Sequence, residues 1–275
     1  MSIFRFKRFG VHNDAAAMKV GTDAVLLGAA MTLRPTERRL LDIGTGTGVV
    51  ALLAAQRLEE MGPGQGSDVE QADSKPGQGA EGQGAQTFKI SAIDIDGAAA
   101  DEAALNFRES PWSANLQALN CALADFTPAE RYDHIFSNPP FYDESLRNPD
   151  ERKSLARHTS LMSWRDICLF AADAEIAGLT DSLRDESGKN GSGHLRGWLE
   201  DDGILSLILP SESEKELLRG AAALGLYPFR TVRIRTSGRK APKRLLVEFS
   251  RRRCAEPLEE EINLQQPNCT AKYYL

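Results

Sequence analysis

The run Leu41-Asp42-Ile43-Gly44-Thr45-Gly46-Thr47-Gly48 does most to limit what this chain can fold into. Apolar residues as far as Ile43 read as a buried strand, three alternating glycines follow, and from Gly48 the apolar spacing becomes helical. Glycines at such a turn permit positive φ and let a ligand approach the backbone closely. The helix behind them offers unpaired N–H groups in its first turn. A dinucleotide fingerprint would read GxGxxG, but counting on from Gly44 and Gly46 puts Val49 where the third glycine should stand. The spacing is DxGxGxG, with Asp42 inside the strand end. That suits a cationic, amino-acid-bearing nucleoside better than a pyrophosphate, and it disfavours an NAD-dependent oxidoreductase.

Strand and helix patterns go on alternating along the chain. Strands are expected over 40–43, 89–95, 116–121, 132–137, 203–209, 229–235 and 244–250, and helices over 23–32, 48–60, 97–110, 163–177 and 211–224. This predicts an α/β protein with a mostly parallel seven-stranded sheet, one antiparallel strand and helices on both faces. The last two strands, joined through 237–242, should be antiparallel neighbours at one end. Residues 62–86 and 181–193 are rich in Gly, Gln, Asp and Ser and read as flexible insertions. The alternation resumes after each, so residues 1–275 are expected to form a single domain, with 1–38 ahead of the sheet and 254–275 as a C-terminal tail.

No apolar run approaches a membrane span, and the basic N-terminus lacks the apolar core of a signal peptide. Cys121, Cys168, Cys254 and Cys269 are scattered without CxxC or Cys/His pairing, which points to a reducing cytoplasm and away from structural metal. Net charge is −6, yet it is unevenly spread: ten Lys and Arg between Arg230 and Arg253 face the single acid Glu248. Local patches of this kind, rather than overall charge, decide phosphate contacts. Arg239, Lys240, Lys243 and Arg244 are the candidates for a nucleic-acid backbone, and the same cluster also reads as solvated strand ends.

Chemistry concentrates where the strands end. Asp94, in Ala92-Ile93-Asp94-Ile95-Asp96, can accept from ribose hydroxyls, with Asp96 in reserve as a helix cap. After the third strand, Asp125 can accept from an adenine amino group while Phe126 packs on the ring. The fourth strand runs into Asn138-Pro139-Pro140-Phe141. Two prolines end any strand, because each lacks an N–H and has a fixed φ. They leave an amide oxygen, backbone carbonyls and an aromatic ring displayed together, a set that can hold a planar amino group through its N–H donors. Four such features in order lie at the carboxyl ends of successive strands, where open α/β sheets bind ligands.

This combination resembles class I S-adenosylmethionine-dependent methyltransferases acting on amino groups, whose hallmark is [DNS]-P-P-[FYW]. Within them the chain is similar to the bacterial tRNA1(Val) adenine-37 N6-methyltransferase family. The likeness is carried by Phe4-Arg5-Phe6-Lys7-Arg8-Phe9 with His12-Asn13, by Met18-Lys19-Val20-Gly21-Thr22-Asp23, by Ser110-Pro111-Trp112, by Ser137 to Tyr142 and by Arg157-His158-Thr159. It implies a Rossmann-like fold, S-adenosylmethionine as cofactor, tRNA as partner and a cytoplasmic enzyme without metal or membrane attachment. It further implies that Lys19, Thr22 and Asp23 line the cofactor pocket with Asp42, Gly44, Gly46, Gly48, Asp94, Ile95, Asp125 and Phe126. Asn138, Pro139, Pro140 and Phe141 then form the acceptor site. An exocyclic amine in rRNA or a protein glutamine would satisfy that motif as well. Oligomeric state is left open, and a monomer is the reading adopted.

Overall fold

The computed structural model describes residues 2–62, 88–140, 162–172, 197–238 and 240–265. Phe141, Arg239, Arg157-His158-Thr159 and the insertion at 181–193 lie outside the described residues, as do nearly all of 62–86 and the chain from 266 onward.

Among the described residues are ten strands and five α-helices. A hairpin of β1 (Ile3–Arg5) and β2 (Gly10–His12) leads to α1 (Thr22–Ala30), β3 (Arg39–Ile43), α2 (Val49–Met61), β4 (Lys89–Asp94), α3 (Gly97–Arg108) and β5 (Leu116–Asn120). Then come β6 (Tyr132–Ser137), α4 (Trp164–Ala171), β7 (Leu199–Pro210), α5 (Glu214–Ala223), β8 (Tyr227–Arg235), β9 (Arg244–Ser250) and β10 (Leu258–Asn263). The main sheet has the order β10-β8-β9-β7-β6-β3-β4-β5. Pairing is parallel throughout except where β9 runs between β7 and β8. The expected α/β class therefore holds, with an eighth strand added at one edge.

The central strands are apolar on both sides, as a parallel sheet covered by helices requires. In β3, Leu40 faces α1, α2 and α3, while Leu41 and Ile43 face α4 and α5. Each is fully buried, and each such side chain is worth about 1.5–3 kcal/mol relative to exposure. Helix starts follow local chemistry. Asp96 accepts from Ala98 N (3.0 Å) ahead of α3, and Ser163 and Asp166 form a capping box at α4. Thr22 does not cap α1: the N-cap is Gly21, and Thr22 is the first helical residue. The order of strands produces a switch point, because the chain leaves β3 outward through β4 and β5 and returns on the other side as β6.

The unexpected β10 carries Glu259-Glu260-Glu261, a sequence with little strand propensity. Its partner β8 supplies the reason. Arg230 reaches Glu260 (2.9 Å), Arg233 pairs with Glu259, and Arg235 lies 2.7 Å from Glu261. Arg230 also donates to the fully buried Glu248 at 2.8 Å. The β8 arginines are thus paired within the sheet, and the exposed cations of this region lie in the loop before β9 and just after it.

Candidate active site

The glycine turn is held by the end of β4. Gly44 N and Thr45 N donate to the Ile93 carbonyl (2.9 and 3.1 Å), and Gly46 N donates to Asp94 Oδ2 (2.8 Å). Gly44, Gly46 and Gly48 all have positive φ, at 69°, 55° and 81°. Their roles nevertheless differ. Gly44 and Gly46 border a cavity of about 1390 Å³, whereas Gly48 is not among its lining residues. A Cβ on Gly48 would come within 2.6 Å of the Phe107 ring. Its bareness serves the packing of α2 against α3.

Asp42 lines the cavity but is only 1% exposed, and its carboxylate accepts from Thr45 Oγ1 at 2.7 Å. Burial pushes its pKa up to about 7, against the Thr45 hydrogen bond and helped by the neighbouring Asp94 charge. Asp94 sits at the end of β4 on the cavity wall, accepting from Gly46 N and, through Oδ1, from Asp96 N (2.9 Å). Beside it Ile95 offers an apolar surface, 56% exposed, to the same cavity. Past β5, a short 3-10 turn (Leu123–Asp125) brings Ala124 and Phe126 onto the wall and leaves Asp125 exposed outside it. The Phe126 ring stacks on Phe170 (6.2 Å between centroids), which in turn lies 6.2 Å from Trp198. Sequence reasoning passed over those last two aromatics, since Phe170 reads as one more apolar residue of a helix.

At the end of β6, Ser137 Oγ donates to the Ile43 carbonyl at 2.6 Å and ties this corner to β3. Asn138 and Pro140 line the cavity, and Pro139 is buried behind them. Asn138 Oδ1 is buried and has no hydrogen-bond partner among the described residues. Natural proteins rarely tolerate such an acceptor without a reason.

Ala17, Met18 and Lys19 form a further stretch of wall, with Thr22 and Asp23 beside them at the start of α1. Asp23 accepts from Arg244 Nε at 2.7 Å. An expected cofactor residue and an expected RNA-binding residue are therefore joined at the rim. Lys240 and Lys243 are exposed, with no ion-pair partner among the described residues. Also among the described residues, no group of three or more His, Cys, Asp or Glu is placed to hold a metal, and no helix is long and apolar enough to cross a membrane.

No protein-family model matches the chain. In fold, it is similar to a predicted O-methyltransferase from Agrobacterium tumefaciens, with a TM-score of 0.53 at 17% identity, covering 92% of this chain and 95% of that one. The sheet order and the glycine turn at its switch point define the Rossmann-like fold that this structure shares. In sequence, the chain is 35% identical over 266 residues to the tRNA1(Val) (adenine(37)-N6)-methyltransferase of Parabacteroides distasonis, covering 95% of this chain and 89% of that protein. The protein of the same name from Flavobacterium psychrophilum is 33% identical over 251 residues, covering 90% and 86%. The chain belongs to the tRNA1(Val) (adenine(37)-N6)-methyltransferase family.

Proposed function

We propose that the chain works as a single methyltransferase unit that moves a methyl group from S-adenosylmethionine to N6 of adenosine 37 in tRNA1(Val). The observation that carries this reading is Asn138 Oδ1, a buried and unmatched acceptor at the switch point beside the glycine turn. An amino group supplies the donor that this oxygen lacks.

The residues present fit the cofactor. Asp94 offers an acid at the end of β4, Gly44 and Gly46 leave the wall bare, and Ile95 and Phe126 give apolar faces for a purine. Lys19, Thr22 and Asp23 would close the opposite side, while Asp42 braces the turn from beneath. When bound, the cofactor supplies an electrophilic methyl group on a sulfonium.

The chain's own task is to prepare the nitrogen. The lone pair of an adenine N6 is delocalised into the ring and is a poor nucleophile. Asn138 Oδ1 accepts one N6 hydrogen and the Pro139 carbonyl accepts the other, which draws the nitrogen towards tetrahedral geometry and returns electron density to it. The two prolines fix both acceptors in direction, so the contribution is orientation and electrostatic preorganisation. Phe141 stacks on the base, an interaction typically worth about 1–3 kcal/mol. The alkylated nitrogen is acidic enough to release its proton to water, and no side-chain base is required. Lys240, Lys243 and Arg244 meet the RNA backbone at the rim, contact with RNA is also assigned to Arg239, and action on tRNA fits a cytoplasmic enzyme.

The test is methylation of an unmodified tRNA1(Val) transcript by the purified chain, read by nucleoside mass spectrometry, with a transcript carrying guanosine at position 37 as control. N6-methyladenosine confined to the transcript with adenosine 37 is expected; none in either, or equal amounts in both, overturns the assignment. Exchanging Lys240 and Lys243 for Glu should weaken tRNA binding and flatten its log–log salt dependence by about 0.7–0.9 for each phosphate no longer neutralised. An unchanged slope would return both lysines to the solvated surface.

A further inference from the structure

Between the end of β2 at His12 and the start of α1 at Thr22, the chain has no sheet or helix to hold it, yet it supplies Ala17, Met18 and Lys19 to the cavity wall. What holds it comes from α3. Glu102, 5% exposed, accepts from three successive backbone N–H groups: Asp14 (2.6 Å) and Ala15 (2.7 Å) on Oε1, and Ala16 (2.9 Å) on Oε2. One helical turn further on, the fully buried Asn106 accepts from His12 N (2.7 Å) and donates to the carbonyls of His12 and Thr47. The loop closes on itself through Asn13 Oδ1, which accepts from Val20 N at 2.8 Å, and Lys19 Nζ, which donates to the Asp14 carbonyl at 2.6 Å. At its apex the Met18 carbonyl stands 3.8 Å from the place a Cβ on Gly46 would occupy.

Three convergent N–H groups form a concavity for an anion, here filled by the protein's own carboxylate. Burial raises the Glu102 pKa, but the three N–H groups together with the Lys19 charge outweigh it and leave the group below its ordinary range. An amide cannot replace it, because its NH2 would face one of the donors.

We propose that Glu102 is a positioning residue for the cofactor: its carboxylate gathers the 13–20 loop so that Met18 and Lys19 stand on the cavity wall, with the Met18 carbonyl beside Gly46. This rests on the S-adenosylmethionine reading of the cavity. Glu102 touches no part of the Asn138 corner in its hydrogen bonding, so its influence falls on cofactor binding and spares the acceptor step.

Glu102→Gln and, as a milder loosening that leaves α3 untouched, Asn13→Ala are compared with the wild type in the full chain. Calorimetric titration with S-adenosylmethionine should show Kd raised about tenfold or more in Glu102→Gln and less in Asn13→Ala. KM for the cofactor should rise in parallel, with kcat at saturation within about twofold, the signature of lost uniform binding. Hydrogen exchange in the absence of any ligand should lose protection at Asp14, Ala15 and Ala16 while the β3 and β6 amides keep theirs. A fall in kcat at unchanged KM, or unchanged protection at those three amides in both variants, would overturn the proposal. If the wild type itself fails to bind S-adenosylmethionine, the cofactor reading falls with it, and the exchange data still separate that outcome from failure of the latch.

Discussion

The glycine turn and the Asn-Pro-Pro corner close the carboxyl ends of adjacent strands, β3 and β6, yet they treat their polar atoms in opposite ways. In the turn the acceptors are taken from within: Thr45 Oγ1 holds Asp42, while the N–H groups of Gly46 and Asp96 hold Asp94. At the corner Ser137 Oγ is likewise matched, by the Ile43 carbonyl, but one residue later Asn138 Oδ1 is buried and unmatched. A buried unmatched acceptor costs about 1–3 kcal/mol. The difference separates a scaffold, whose shape is set by its own bonds, from an acceptor that the described residues leave unmatched.

The sharpest way to break this contrast is Asn138→Ala. With the acceptor gone, methylation should fall by about 10³-fold, the scale of losing one preorganised polar contact to a reacting group. Cofactor affinity, read by calorimetry, should stay within a few-fold, because the turn is untouched. Retention of full activity would show that Asn138 is not the acceptor, and a matching loss of cofactor affinity would make the corner part of the scaffold after all.

The converse change belongs to the turn. Gly48→Ala puts a Cβ where φ is 81° and the Phe107 ring lies 2.6 Å away. Left-handed backbone and an overpacked contact together should destabilise the fold by about 3 kcal/mol. Denaturant unfolding measures this, while kcat of the surviving folded protein should be close to that of the wild type. A normal midpoint combined with impaired cofactor binding would restore Gly48 to the ligand wall.

Much of this was legible in the chain beforehand, for physical reasons that can be named. The bounds of β6 and β9 follow directly from apolar runs ended by Pro139 and by Arg251. Roles that depend on distant partners were not legible. Glu102 reads as a solvated helical acid until its three N–H donors appear, 86 to 88 residues away in sequence. The Glu259-Glu260-Glu261 strand is opposed by its own propensity and becomes a strand only once Arg230, Arg233 and Arg235 lie alongside. For the same reason a tally of cations along β8 overstates the unpaired positive charge there. Gly44, Gly46 and Gly48 are indistinguishable as letters, and only the position of Phe107 separates the packing glycine from the two on the wall.

A pH-dependent effect concerns the charge inside the turn. Asp42 has a pKa near 7, raised from 3.8 chiefly by burial. A carboxyl raised on folding holds its proton more tightly in the folded state, so the stability it contributes is full below the unfolded pKa and is lost as pH climbs through the folded one. Asn cannot titrate there. The stability of the wild type minus that of Asp42→Asn, followed by thermal unfolding, should therefore decline between about pH 4 and pH 7, at no more than about 1.4 kcal/mol per pH unit, and level off above. A flat difference across that window would mean that Thr45 and the first turn of α2 keep the carboxylate ionised without a ligand. The turn would then also hold a group in reserve, a buried negative charge for a sulfonium, and its contrast with Asn138 would narrow from kind to degree.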